Sequence, residues 1–385
     1  MESPALQSAR QAARAMLPLW GAFEGVLGTR SSVGVLYHGD FDGVIGAAAM
    51  LLSLRQSLAP LAFWIATEDY DFESARQWIT GCDLRGLGVV DLGIENNPAA
   101  LASVAASVNG PLFIYDHHVV VGSLHLPPNV TLANPTPQGH SALRPPVPSF
   151  LFADELLRLR GSQLPDWLLL AALFAEGVNE FFAADTEFLL EHCCGAEPRP
   201  TAREAFWRTP LARLSVLVRA AFAGSHGNDH SLASHLCSAI EEQTQAAAFL
   251  ATLESEYGPE SDELSHAIST QVDMWLARLS SGGADAGVAV VEIQSRFPIA
   301  GPVASILRGR LSRTVLAIQD RAGHVSVEMR APNDSDVNFP EILLAVAARV
   351  PLLNHGGHRT AAGAAVRSEH VRSFFDEFNR VWERA

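Results

Sequence analysis

Apolar and polar positions along this chain follow two different periods, and the switches between them mark its parts. In the first thirty residues Leu6, Ala13, Met16, Leu17 and Trp20 predict an N-terminal helix. From Ser32 short apolar runs of strand type take over, at Ser32–Tyr37, Leu61–Ala66, Leu87–Asp91 and Leu112–Tyr115. Helical stretches lie between them, at Gly43–Leu58, Phe72–Ile79 and Pro98–Ala106. Strands alternating with helices predict a parallel sheet with helices on both faces. Val130–Ala133 adds a further strand, Leu126–Pro148 is proline-rich and irregular, and helices resume at Ser149–Leu159 and Asp166–Phe182.

From Ala183 to Gly283 the pattern is helical, with loop signals at Cys194–Pro200, Gly224–Asp229 and Gly258–Asp262. The glycine-rich stretch Ser280–Gly287 marks a boundary. Beyond it Val288–Ile293, Thr314–Gln319 and His324–Met329 read as strands, with helices at Ala300–Arg310 and Pro340–Val350. The expected architecture is α/β: a parallel, doubly wound N-terminal domain over residues 1–182, a helical connector over 183–287, and a smaller α+β domain over 288–385, with a cleft between the domains. No internal repeat stands out.

Composition narrows the class. Of 385 residues, 48% are apolar and 18% charged, which suits a globular protein and excludes a disordered or fibrous one. No apolar run reaches the roughly 18 residues of a membrane span, and no charged-then-apolar leader opens the chain. Cys82, Cys193, Cys194 and Cys237 fit neither a zinc knuckle nor a disulfide framework, so a cytoplasmic protein with reduced thiols is expected. Acids outnumber bases 42 to 27, for a net charge of −15, and every base is arginine. Twelve of those arginines, against ten acids, lie from Val288 onward, so the C-terminal third is the better place to grip an anion. The acidic remainder argues against a long nucleic-acid track.

The candidate chemistry sits just after the strands. His38-Gly39-Asp40-Phe41-Asp42-Gly43 follows the first, Asp91 ends the third, and Asp116-His117-His118 follows the fourth. In an open parallel sheet these strand ends meet at one edge, where ligands bind. Carboxylates gathered there would repel one another and take up protons, and divalent cations relieve that repulsion. Mixed Asp/His shells suit manganese, magnesium or zinc, and two ions about 3.5–4 Å apart can clamp a phosphoryl oxygen and an attacking hydroxide. Near the C-terminus Gly356-Gly357-His358-Arg359-Thr360-Ala361-Ala362-Gly363 reads as an anion nest, with amides made accessible by the glycines and His358 donating to a phosphate oxygen. His140, His226, His230 and His235 read as surface or core residues.

Taken together, the motifs after the strands resemble the first three motifs of the DHH phosphoesterase superfamily, and the Gly356–Gly363 run resembles the signature of the DHH-associated domain. The resemblance spans residues 30–182 and 288–370. RecJ-type exonucleases, nano-RNases and cyclic-dinucleotide phosphodiesterases share that architecture. It implies two divalent ions, manganese before magnesium: His38 and Asp40 on one, Asp42 and His117 on the other, Asp91 bridging. By the same resemblance Asp116 orients an imidazole, His118 contacts the metal site or substrate, and a bridging hydroxide attacks. It also implies substrate binding by Arg330, Gly356, Gly357, His358 and Gly363. One departure stands out: Asn179 occupies the place where the family's fourth motif has an aspartate, with Glu176 one helical turn earlier as the alternative ligand.

The resulting expectation is a metal-dependent phosphoesterase cleaving phosphodiester bonds in short oligonucleotides or dinucleotide-like molecules, in the cytoplasm, off the membrane and compatible with a homodimer. Its alternatives are a RecJ-like single-strand exonuclease and a degenerate scaffold that binds nucleic acid or a partner.

Overall fold

The computed structural model describes residues 2–28, 32–55, 61–66, 72–120, 124–136, 147–195, 201–224, 231–281, 288–321, 323–332 and 334–384. The boundary stretch at 282–287, most of two loop signals (196–200 and 225–229), His140, His226 and His230 lie outside them. Two helices open the chain, α1 (Pro4–Arg14) and α2 (Leu17–Val26), where the sequence predicted one. Pro18 sits in the first turn of α2, a position that tolerates its missing N–H but interrupts a continuing helix.

The first sheet then builds up as predicted: β1 (Val33–His38), α3 (Phe41–Arg55), β2 (Leu61–Ala66), α4 (Phe72–Gly81), β3 (Gly86–Val90), α5 (Pro98–Ser107), β4 (Leu112–Tyr115) and β5 (Val130–Ala133). All five strands are parallel, in the order β2-β1-β3-β4-β5. Strand order reverses between β1 and β3, and at such a switch point a doubly wound sheet opens a crevice beyond the strands' C-terminal ends. Successive residues face opposite layers. Val35 and Tyr37 enter the core shared with α3, whereas Leu36 enters the one under α4 and α5.

Among the described residues seven helices follow: α6 (Ser149–Leu159), α7 (Asp166–Ala175), α8 (Ala183–Cys194), α9 (Ala202–Phe206), α10 (Ala212–Gly224), α11 (Ser231–Glu241) and α12 (Ala246–Ser281). They do not stand apart from the sheet. Leu232, Leu236 and Cys237 of α11 share one core with α3, and the Cys237 thiol donates to the Ala48 carbonyl at 3.6 Å. Sandwiched between sheet and helices, α3 is buried from Phe41 through Leu54. The loop expected at Gly258–Asp262 is instead the middle of α12, which carries Pro259 in its interior. Burial of Leu253, Tyr257 and Leu264 offsets the hydrogen bond that the proline removes.

The C-terminal part contains β6 (Ala289–Ile293), α13 (Ala300–Leu311), β7 (Val315–Arg321), β8 (His324–Arg330), α14 (Phe339–Ala347), β9 (Leu352–His358), β10 (Ala361–Arg367) and α15 (Val371–Trp382). Its mixed sheet runs β6-β7-β8-β10-β9. α14 and α15 cover one face, where Met329, Ala362, Phe374 and Phe378 are buried together. α13 lies on the other, toward the first domain. The glycine-histidine motif, read from the sequence as an anion nest, forms the β9–β10 hairpin, because Asn354–His358 pairs residue for residue with Ala361–Ala365. Among the described residues no helix is long and apolar enough to cross a membrane.

Candidate metal and phosphate site

The turn after β1 is shaped by its own side chains. Asp40 caps α3, its Oδ1 accepting the Gly43 amide at 3.0 Å, while its Oδ2 lies 2.9 Å from His38 Nδ1. Only glycine fits at position 43, since a Cβ there would lie 2.3 Å from the His38 carbonyl oxygen. One residue earlier, Asp42 is fully buried and points at the start of α6. Its two oxygens accept the amides of Ser149 at 2.7 Å and Phe150 at 2.6 Å, which point from the positive end of that helix.

Asp91 follows β3 with φ of +58°, a left-handed conformation that costs a non-glycine residue about 1 kcal/mol. Its Oδ1 lies 3.2 Å from His117 Nε2, which is itself 3.3 Å from Asp42 Oδ2. Ligand atoms of Asp42, Asp91 and His117 lie within 4.8 Å of one another, and so do those of His38, Asp40 and Asp91. Asp91 is common to both triads. Asp116 is fully buried beside them. Its Oδ2 accepts the Gly93 amide at 2.6 Å, and its Oδ1 accepts the His118 amide at 2.8 Å and lies 2.7 Å from His118 Nδ1. The imidazole that Asp116 orients is therefore that of His118.

These charges do not balance among themselves. Burial, then the neighbouring Asp40, pushes Asp42 up to about 7 despite its two amides. Burial and the carboxylates of Asp40 and Asp42 hold Asp91 well above the usual range. His117 is driven down to about 3 by burial and then by the charge of His118, so it is neutral, as a metal-ligating imidazole must be. Burial alone would lower His118, but the Asp116 carboxylate overrides it and raises that imidazole. Asp91 Oδ1 and His117 Nδ1 are buried without hydrogen-bond partners among the described residues. A buried group left so costs about 1–3 kcal/mol. Crowded carboxylates forced to hold protons, a neutral imidazole and orphaned polar atoms fit a site for divalent ions.

Across the cleft the C-terminal sheet presents one face to this cluster. Arg330, Ala361 and His358 form one row across β8, β10 and β9, and Glu328, Gly363 and Gly356 form the next row on the same face. The His358 ring lies 5.0 Å from the rings of both His117 and His118 and stacks on the latter at 17°. Burial, then the neighbouring imidazoles, holds His358 well below its ordinary value. Gly356 faces Asn96, and the Asn97 side-chain amide donates to the Leu353 carbonyl at 2.7 Å. Gly357 belongs to the opposite row with Ala362 and Met329. Arg330 is already engaged: Nη1 is 3.0 Å from Glu328 Oε2, and Nε donates to Ser305 Oγ at 3.2 Å.

At the fourth motif α7 stops at Ala175, short of the predicted Phe182, because Gly177 takes φ of +68° and closes the helix. Asn179 is buried beyond that end, and its carbonyl accepts the Thr186 hydroxyl at 3.1 Å. Glu176 is the helix cap, and burial followed by the charges of Asp42 and Asp40 raises its carboxyl. Several contributors escaped the sequence reading. Arg219 of α10 acts on both Asp40 and Glu176, and Phe222, one turn on, packs over Gly39 and near the His38 ring. No local pattern marks these two, since α10 lies far along the chain. The α6 amides and the Asn97 cap had a local signal: a proline before the helix in one case, Asn-Pro at its start in the other.

Residues 285–384 match the DHHA1 domain family. No curated protein matches the chain by sequence. Among solved structures, RecJ from Thermus thermophilus in complex with Mn2+ is similar over 100% of this chain at 20% identity, with a TM-score of 0.59. This chain spans 56% of that RecJ, somewhat over half its length. An exonuclease RecJ bound to manganese gives 0.56 at 20% identity, with 98% of this chain and 94% of that one covered. The DHH domain of a protein assigned to a family of ribosomal proteins gives 0.60 at 14% identity, covering 98% and 92%. The likeness to all three is one of fold.

Proposed function

For a chain that carries a DHHA1 domain and the DHH fold throughout, we propose the function of a metal-dependent phosphoesterase that hydrolyses phosphodiester bonds in short oligonucleotides or dinucleotide-like molecules. The observation that carries this reading is the pair of ligand triads sharing Asp91, whose Oδ1 lies 3.7 Å from Nδ1 of the His118 ring on which His358 stacks. His38 and Asp40 would hold one divalent ion, Asp42 and His117 a second, and Asp91 both. Bound there, such ions supply Lewis acidity toward a phosphoryl oxygen and lower the pKa of water. Manganese is taken before magnesium, although solved RecJ structures hold either ion.

The protein's own residues do the rest. Asp116 fixes His118 through Nδ1 and favours its protonated form, so that Nε2 can donate to a phosphate oxygen or to the leaving oxygen. His358, kept neutral, positions the substrate across the cleft from the ions. Glu176 serves as the additional acidic group in place of the expected aspartate. A scaffold role would give the chain no reason to keep repelling carboxylates buried together. The test is manganese-dependent hydrolysis of short RNA and DNA oligomers by the parent and by Asp91→Asn. Asp91→Asn should lose both activity and bound manganese, yet melt no lower than the parent without metal, since it replaces a buried carboxyl that already holds a proton with a neutral amide of the same shape. Equal activity with and without manganese, or two ions retained by the variant, overturns the reading.

A further inference from the structure

The space above Gly363 is not empty. A Cβ at that position would lie 2.8 Å from Glu328 Oε1, and one at Gly301 would lie 3.3 Å from Arg330 Nη2 and 3.5 Å from Glu328 Oε2. The two glycines thus make room for a carboxylate–guanidinium couple, half-buried on the face of the sheet that His358 shares. Arg330 is held in place through Nη1, which meets Glu328 and the carbonyls of Met329 and Ala362, and through Nε, which donates to Ser305. An arginine meant to seize a phosphate dianion has no use for a carboxylate 3.0 Å away, because that carboxylate cancels its charge and repels the ligand.

We propose that Glu328 determines which chain end this face of the sheet accepts: a nucleotide terminus bearing a free sugar hydroxyl, and not one bearing a terminal phosphate. A hydroxyl both donates and accepts, so it can donate to the Glu328 carboxylate while accepting from Arg330. A terminal phosphate, carrying a charge of about −1.5 to −2 at neutral pH, only accepts and meets the carboxylate head on. The inference rests on the nucleotide-hydrolysing reading above and names the substrate class within it.

The test is binding, so that it does not depend on turnover. Calorimetry on the metal-free protein would compare one trinucleotide in three forms: hydroxyl at both ends, phosphate at the 5′ end, and phosphate at the 3′ end. The parent is expected to bind the hydroxyl-ended form roughly tenfold more tightly than one of the phosphorylated forms. Glu328→Gln, whose amide can donate to phosphate, should bring that ratio to about one, and Glu328→Ala should do likewise if the first variant folds poorly. A parent that prefers a phosphorylated end, a parent that binds none of the three, or a preference that survives both substitutions within twofold overturns the proposal. Should the preference and its shift appear while manganese supports no hydrolysis, the specificity assignment stands and the phosphoesterase reading falls.

Discussion

At the scale of single residues, the site is a set of groups whose titration has been bent by their neighbours. Asp42, pushed to about 7 by burial and by Asp40, holds a proton below that pH when no cation is bound. An entering ion must displace that proton, so apparent manganese affinity should rise as pH climbs toward 7, by up to roughly tenfold per unit for each proton displaced. Manganese titrations across that range check this, and a flat profile contradicts it. Glu176 and Asn179 offer a second residue-level test. With Glu176 proposed as the additional acidic group, its carboxyl raised by burial and by Asp42 and Asp40, Glu176→Gln should weaken manganese binding about tenfold or more, and Asn179→Asp should change it little. The opposite ranking in the same titration would return the role to Asn179.

At the scale of elements, the ligands depend on helices that never touch the ions. The amides on which Asp42 rests belong to the first turn of α6, and α6 is held by α1 through buried charge. Arg10 Nη1 lies 2.5 Å from Asp154 Oδ2 and 3.0 Å from Glu155 Oε1, with Arg14 closing on Glu155 at 2.7 Å. Asp154 also accepts the Leu164 amide at 2.7 Å, tying in the turn that leads to α7. Arg10→Ala leaves Asp154 with Arg158 at 3.0 Å and Glu155 with Arg14, so it removes buried charge-assisted hydrogen bonds rather than the last cation and should cost about 1.5–3 kcal/mol in urea unfolding. A loss below about 1 kcal/mol, the size of an exposed pair, would mean that α1 is only a surface attachment.

At the scale of the whole molecule, the site is complete only where the two sheets meet. Asn97 stands at that seam with two jobs: its Oδ1 caps α5 by accepting the Ala100 amide at 3.1 Å, and its Nδ2 donates to Leu353 of β9 at 2.7 Å. Asn97→Asp keeps the cap and loses the donor, which separates helix stability from domain docking. The variant should melt close to the parent and retain its metal, while KM for an oligonucleotide rises about fivefold, the equivalent of one hydrogen bond of about 1 kcal/mol. An unchanged KM would show that the hairpin is seated by other contacts. The helices from 183 to 281 share in this larger unit, since Arg219 and Phe222 reach the turn after β1 from α10.

Strand period, helix starts and the acids at strand ends were legible without a structure because each is written within a few consecutive residues. β1 through β5, the cluster of His38, Asp40, Asp42, Asp91 and His117, and the Asp116–His118 pair all arise from such local patterns meeting at one sheet edge. The glycine-histidine motif was visible as residues but not as a hairpin, because its small side chains carry little alternation. Tertiary structure alone decided how the charges are shared: Arg219 as a counter-charge to Asp40 and Glu176, and Glu328 laid on Arg330 over Gly363. The physical reason is distance along the chain. Periodicity fixes which way a side chain faces within its own element, whereas the partner it meets there is chosen by how remote elements pack.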